Sequence, residues 1–312
     1  MEFLTRAINK YQAQKNKKRF KKVARHIRTT KPLDIKYQED IVIVSQIYHD
    51  AIDMSLLALK SFGRSFTRGR FELIDDGSLT DEDYELLKSQ LPKVKIVHIN
   101  EIDIGKCPKG GTWERLIHII NLSEIAYVIQ VDTDTLTIGA IPEIDQYVRM
   151  NQAFTIGGPM WPEPVSLDYM SEVAKSWKGW HVQVKTEEYL SSVKSIPLEK
   201  YLRGCSAFTG FPKGVFDFNK LELFSLELEK EVGKEKWHEW GSEQISSSIM
   251  ISLCENAQIL SWPKYMNFGF PDTGYHDNKQ YRGKVSLIHF IGSNRFDKKV
   301  YEYFVKEVIN KF

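Results

Sequence analysis

The chain is short of cysteine and of long apolar runs, and each shortage removes a class of protein. Cys107, Cys205 and Cys254 are the three cysteines of 312 residues, and they lie far apart. They match no zinc spacing, and an odd, sparse set reads as reduced thiols and not as a disulfide scaffold. No apolar run approaches the roughly 20 residues that cross a bilayer. The first residues lack the apolar core of a signal peptide. These shortages set the expectation of a cytoplasmic protein. Charge of one sign is not in excess either, since the formal net charge is +2. Its distribution is uneven. Residues 1–31 hold eleven Lys or Arg against one acid, Glu2, which leaves the other 281 residues net acidic.

What is present is a globular composition, 42% hydrophobic and 12% aromatic, long enough to bury a large core. Residues 1–36 read as a basic arm and 37–312 as the folded domain. In the arm, Phe3, Leu4, Ala7, Ile8 and Tyr11, then Phe20, Val23, Ala24 and Ile27, recur at near-helical spacing. A basic amphipathic helix can lie on an anionic membrane surface, giving a peripheral location on the inner face. It can equally be a solvated helix packed on the domain. No RNA- or DNA-binding motif accompanies the charge, so no nucleic-acid partner is expected.

From residue 40 strands and helices alternate, which predicts an α/β fold with a mainly parallel, doubly wound sheet. Residues 40–45, 71–74, 94–99 and 127–131 read as strands. Residues 50–62 and 112–123 read as helices, and Thr80 as an N-cap before a run of acids. The nearly continuous apolar run of the first strand is expected where both faces are covered. After residue 140 the pattern loosens. A strand is expected over 203–211, a helix over 243–254, a late strand over 285–290 and a closing helix over 297–311.

Ligands of open α/β sheets bind beyond the carboxyl ends of the strands. Three strands here end in polar groups: Ser45-Gln46-Ile47-Tyr48, Asp75-Asp76-Gly77-Ser78 and Asp132-Thr133-Asp134. Carboxylates are costly at the end of a buried strand unless something pairs with them. Two residues apart on a strand, Asp132 and Asp134 share a face, and at its end both can reach one cation. Hard oxygen ligands suit magnesium or manganese, which often bind with substrate phosphates. Against this stands a plain turn with two solvated acids.

Two separated motifs, in order, make a resemblance. Thr112-Trp113-Glu114-Arg115-Leu116 precedes Val128 to Val131, then Asp132-Thr133-Asp134, then Leu136-Thr137-Ile138-Gly139. Much later comes His289-Phe290-Ile291-Gly292-Ser293-Asn294-Arg295. Over about residues 40–300 the chain resembles glycosyltransferases of the GT-A fold, most closely the glycogenin- and galactosyltransferase-like family numbered eight. That family ends in His-x-x-Gly-x-x-Lys, and Arg295 stands here for the lysine.

The resemblance implies a hexosyltransferase-like enzyme using a nucleotide-sugar, UDP-linked by preference, with Mn2+ or Mg2+. Residues 37–140 would form the nucleotide-sugar half, and 141–312 the acceptor half with the closing metal motif. Asp134 and His289 would ligate the metal, and Asp132 the metal or the ribose, with Thr133 between them in the donor site. Gly292 would let the backbone approach the diphosphate, and Arg295 would bind its oxygens. Arg115 would reach the sugar or diphosphate. Ser45, Gln46, Ile47 and Tyr48 would frame the base, with Asp75 or Asp76 accepting from its imide.

The departures lie on the acceptor side. Gly204-Cys205-Ser206-Ala207-Phe208-Thr209-Gly210 replaces the family's Asn-Ser/Thr-Gly stretch, and Glu243-Gln244 its Asp-Gln pair. Glu243 can be a general base, a positioning group, or a first-turn acid facing the helix dipole. Trp240, beside it, is the tryptophan expected at an acceptor sugar. His289 on a core strand and Arg115 beside Glu114 each have a structural reading as well. The rivals are a degenerate scaffold at the membrane and a sugar nucleotidyltransferase. The latter needs a glycine-rich basic loop where Ser45 to Asp50 stand. A lipid-linked glycan, lipopolysaccharide or capsule precursor is the acceptor class that the arm suggests.

Overall fold

The structure, a computed structural model, describes residues 2–292 and 294–312, with side chains from Tyr11 onward. The Phe3, Leu4, Ala7 and Ile8 side chains of the arm and Ser293 lie outside the described residues.

The arm forms helix α1 (Glu2–Ala24) and a 3-10 turn over Arg25–Thr29. Its second half docks on the domain. Phe20, Ala24 and Ile27 are buried, and Phe20 stacks against Phe296 and Tyr301 at centroid distances of 5.3 and 4.3 Å. Asn16 Nδ2 donates to the Phe296 carbonyl at 2.8 Å, and Arg19 pairs with Glu302 at 3.1 Å. Buried Lys60 then fastens the segment after the turn. Its ammonium donates to Thr30 Oγ1, the Lys31 carbonyl and Gln90 Oε1, while burial pulls it down to about 8.

The expected alternation follows as β1 (Ile41–Ile47), α2 (Ile52–Ser65), β2 (Arg70–Asp75), α3 (Asp81–Gln90), β3 (Lys95–His98), α4 (Trp113–Ser123) and β4 (Tyr127–Val131). Thr80 caps α3 in a reciprocal capping box with Asp83. The second half runs through β5 (Thr135–Thr137), α5 (Pro142–Arg149), β6 (Phe154–Ile156), β7 (Val165–Ser166), α6 (Leu167–Ser176), α7 (Val182–Glu187) and β8 (Lys200–Tyr201). It closes with β9 (Cys205–Phe211), α8 (Phe218–Val232), α9 (Lys234–Trp237), α10 (Ser242–Ser252), β10 (Gln258–Leu260), β11 (Tyr265–Asn267), β12 (Leu287–His289) and α11 (Val300–Ile309).

The main sheet has the order β10-β6-β9-β4-β1-β2-β3. All neighbours are parallel except β9, which runs antiparallel to β4 and β6. A second sheet, β11-β12-β5, pairs β12 antiparallel to β5 and parallel to β11. Strand β1 explains the continuous apolar run. Ile41, Ile43 and Ile47 enter one core layer and Val42 and Val44 the other. Ile47 is thus a core side chain, and only its backbone is left to face a ligand at the end of β1. No helix among the described residues is long and apolar enough to cross a membrane.

Candidate active site

The site lies where β4 ends and the second sheet meets the first. β4 alternates Tyr127, Ile129 and Val131 into one core layer, so Val128 and Gln130 face the other. The strand stops at Val131 and the chain turns, with Thr135 N and Oγ1 both donating to the Asp132 carbonyl at 3.0 and 2.8 Å. This turn separates the two aspartates. Asp132 looks toward α4 and Asp134 toward β12, whose neighbour Phe290 donates its N–H to the Asp134 carbonyl at 2.9 Å. The shared strand face expected for the pair is replaced by a turn. Both still converge with His289, their ligand atoms lying within 4.8 Å of one another.

Each carboxylate has a cation already. Asp134 accepts from Arg295 Nη2 at 2.5 Å, and His289 Nε2 lies 3.4 Å from its other oxygen. Burial alone would raise the Asp134 carboxyl, but His289 and Arg295 outweigh it and hold it at about 2. Burial would lower His289, and Asp134 and Cys205 carry it well above its usual value instead. Arg295 is itself fixed by donating Nε to the Phe290 carbonyl at 3.0 Å. Asp132 accepts from Arg115 Nη1 at 2.5 Å and from Gln130 Nε2 at 3.2 Å. Arg115 is buried and its second branch reaches Glu243 Oε1 at 3.3 Å.

The donor set fits a divalent cation. It offers two hard carboxylates and one imidazole, which suits manganese better than the all-oxygen preference of magnesium. The imidazole is oriented for this role. His289 Nδ1 lies 2.7 Å from Asn267 Oδ1, on the residue paired with it across β11 and β12, which leaves Nε2 toward the aspartates. Asn267 was invisible to sequence reading, since one polar residue ending a short apolar strand carries no signal by itself. The Cys205 Sγ, 3.5 Å from the same Nδ1, was equally silent.

The rim residues divide. Tyr48 is 38% exposed and Gly292 is exposed, with room for a Cβ free of any described atom within 4 Å. Ser45 Oγ, Gln46 Oε1, Gln130 Oε1 and Arg115 Nε are buried without a hydrogen-bond partner among the described residues. Such orphans cost about 1–3 kcal/mol each, and a polar ligand at the ends of β1 and β4 would offset part of that cost. Asp75 is engaged by its own turn: it accepts from Gly77 N, Leu79 N and Tyr84 Oη. Asp76 accepts from Ser78 and is the exposed carboxylate of the pair.

Glu243, on the first turn of α10, is buried and fully engaged. Oε2 accepts from Thr112 Oγ1 at 3.0 Å and Ser206 Oγ at 3.4 Å, while Oε1 takes Arg115. Burial raises its carboxyl, opposed by Arg115 and reinforced by Asp132. Gln244 is oriented by donating Nε2 to Gln183 Oε1 at 3.0 Å. Trp240 is 69% exposed and meets His181 edge-on at 6.1 Å. Trp180 is exposed too, at 75%, with Lys236 over its ring, while Trp237 lies in the core and Trp161 and Trp177 flank Arg203.

No protein-family description matches the chain, and no curated protein matches it by sequence. Solved structures do. One is galactosyltransferase LgtC in complex with donor and acceptor sugar analogs, at 12% identity and a TM-score of 0.53, covering 87% of this chain and 96% of that one. An active-site mutant of LgtC matches at 11% identity and a TM-score of 0.50, over 86% and 95% of the two chains. Mouse xyloside xylosyltransferase 1 matches at 15% identity and a TM-score of 0.43, over 82% and 98%. At such identities the likeness to the two LgtC structures speaks for the fold alone, and the chain has the GT-A glycosyltransferase fold.

Proposed function

We propose that this protein is a divalent-cation-dependent glycosyltransferase that moves a sugar from a nucleotide-diphosphate donor, UDP-linked in our reading, to an acceptor hydroxyl. The observation that carries the reading is the convergence of Asp132, Asp134 and His289 within 4.8 Å at the carboxyl end of β4. When bound there, Mn2+ or Mg2+ supplies charge neutralisation for a diphosphate leaving group.

The chain's own residues set up the rest. Asp134 is held ionised by its two cationic neighbours and is ready as a ligand. Arg295 presents a planar fork for diphosphate oxygens once it releases Asp134. The exposed backbone at Gly292 admits the diphosphate closely. Arg115 holds Asp132 in place and faces the donor sugar. Ser45, Gln46, Tyr48 and the Ile47 backbone frame the base, with Asp76 free to accept from it. Glu243 has no exposed oxygen left for a base, so we assign it a positioning role on Arg115. Acceptor deprotonation is left to a group nearer the open Trp240 side. The acceptor is a glycan, and a lipid-linked one agrees with the basic arm.

The test is a donor panel, with release of nucleoside diphosphate measured with and without manganese. Turnover of one nucleotide-sugar, abolished by chelation and lost in Asp134→Ala and His289→Ala, is the expected result. Wild-type-like turnover in both variants would sink the reading.

A further inference from the structure

Helix α1 and the turn after β1 line a cavity of about 480 Å³ that reaches Tyr48 and Arg295 of the candidate active site. Its walls are unusually basic. Lys17, Lys18, Lys21, Lys22, Arg25 and Arg28 line it from the arm, and Arg295 from the other side. Lys17, Lys18, Lys21 and Lys22 recur three and four apart on one face of α1, and Arg25 and Arg28 follow on the 3-10 turn. Only two carboxylates, Asp50 and Asp53, enter the lining. Asp53 is already bound to Arg28 at 2.5 Å. Lys17, Lys18, Lys21, Lys22 and Arg25 pair with no carboxylate among the described residues.

Phe20 and Ala24 turn the apolar face of α1 onto the domain, which points the lysines into the gap toward Tyr48 and Arg295. Like charges three and four apart on a helix repel one another. Docking the helix against Arg295 adds a further cation to the cluster. Asp53 offsets Arg28 and Asp134 offsets Arg295, so an anion in the cavity would relieve the repulsion among Lys17, Lys18, Lys21, Lys22 and Arg25.

We propose that this groove is a binding site for a phosphate-bearing ligand held by the arm's cations, which lie outside the donor site, with Tyr48 and Arg295 on the wall that the two sites share. Several ammonium groups around a small volume match a phosphate monoester, diester or diphosphate, with Tyr48 and Phe296 giving apolar walls. A lipid headgroup and a free polyphosphate share this chemistry. The proposal stands on the cavity and its cations and does not need the transfer reaction.

The test uses the full chain without metal and the triple variant Lys18→Gln, Lys22→Gln, Arg25→Gln. Glutamine keeps helix propensity, and circular dichroism confirms that α1 is retained. One arm measures inorganic pyrophosphate by calorimetry. The other measures flotation with phosphatidylcholine vesicles, with and without phosphatidylglycerol. Binding in either arm, weakened by salt, is expected. At about fivefold per charge near a surface, the triple variant should lose roughly a hundredfold. The arm that responds names the source of the phosphate. No binding in either arm, or equal binding by the variant, overturns the proposal. Manganese-dependent UDP binding, measured on the same two proteins, reports separately on the donor reading and should be unchanged by the substitutions.

Discussion

Arg115 holds two acids at once, and removing it gives the sharpest test of how the site is assembled. The guanidinium sits 2.5 Å from Asp132 and 3.3 Å from Glu243, with 6% of its side chain exposed. Arg115→Ala leaves the two carboxylates facing each other without a countercharge. Deleting one partner of a buried pair costs about 3–5 kcal/mol. The Asp132 side chain is 22% exposed, so water offsets part of that and about 3 kcal/mol is expected. Glu243 bears the remainder. Burial already raises its carboxyl above the ordinary value, and losing Arg115 raises it further. A folded-state pKa above the unfolded one gives stability that is present at low pH and lost as pH rises through the folded value. The variant should therefore weaken more steeply than the parent as pH rises above the ordinary carboxylate range. Adding Glu243→Gln removes the uncompensated charge and should recover at least about 1 kcal/mol relative to the single variant. Urea unfolding of the parent, both single variants and the double variant measures all four corners. A cost under about 1 kcal/mol for Arg115→Ala, or strict additivity of the two changes, would refute the shared-cation account.

Glu72 is buried among Arg70, Lys95 and His118; burial pushes its carboxyl up, but these partners outweigh it and set it at about 2. Its folded value lies below the unfolded one, so its stability is present above about pH 4.5 and lost as pH falls toward 2. Lys95 is largely exposed, which discounts the term to about 2 kcal/mol at neutral pH, and urea titrations of Glu72→Gln at pH 7 and 3.5 should show the gap narrow. Gly292→Ala meets no described atom, so its thermal midpoint should match the parent while its affinity for a nucleoside diphosphate with manganese falls. Equal affinity would remove Gly292 from the donor site. Phe20→Ala empties the contact with Phe296 and Tyr301 and should cost about 3 kcal/mol, with faster hydrogen exchange in α1 than in β1.

Much of the first half of the domain was legible because its signals are local. Strand β1 announced burial on both faces through Ile41 to Val44, and Thr80 announced α3 through its acids. The Asp132 and His289 motifs were legible as a pair, and the fold brings them together through the β12–β5 pairing. What stayed hidden depends on contacts far apart in sequence. Arg115 and Glu243 are 128 positions apart and read singly as a group reaching the sugar or diphosphate, or a neighbour's ion pair, and as a candidate base. Only the fold makes them one unit with Asp132. Asn267 orients His289 across a strand pair that no periodicity reveals, because β11 and β12 have three residues each. The arm was ambiguous for the same reason. Phe20 and Ile27 have helical spacing in either setting, and the aromatic surface of Phe296 and Tyr301 decides where they go.

The account rests on a cation-dependent donor site at Asp132, Asp134 and His289. Calorimetry of UDP binding, with manganese and with chelator, tests it most directly on the parent, Asp134→Ala and His289→Ala. Binding that requires manganese in the parent and disappears in both variants, with their folds intact, is the predicted result. Binding that ignores manganese, or survives in both variants, would contradict it.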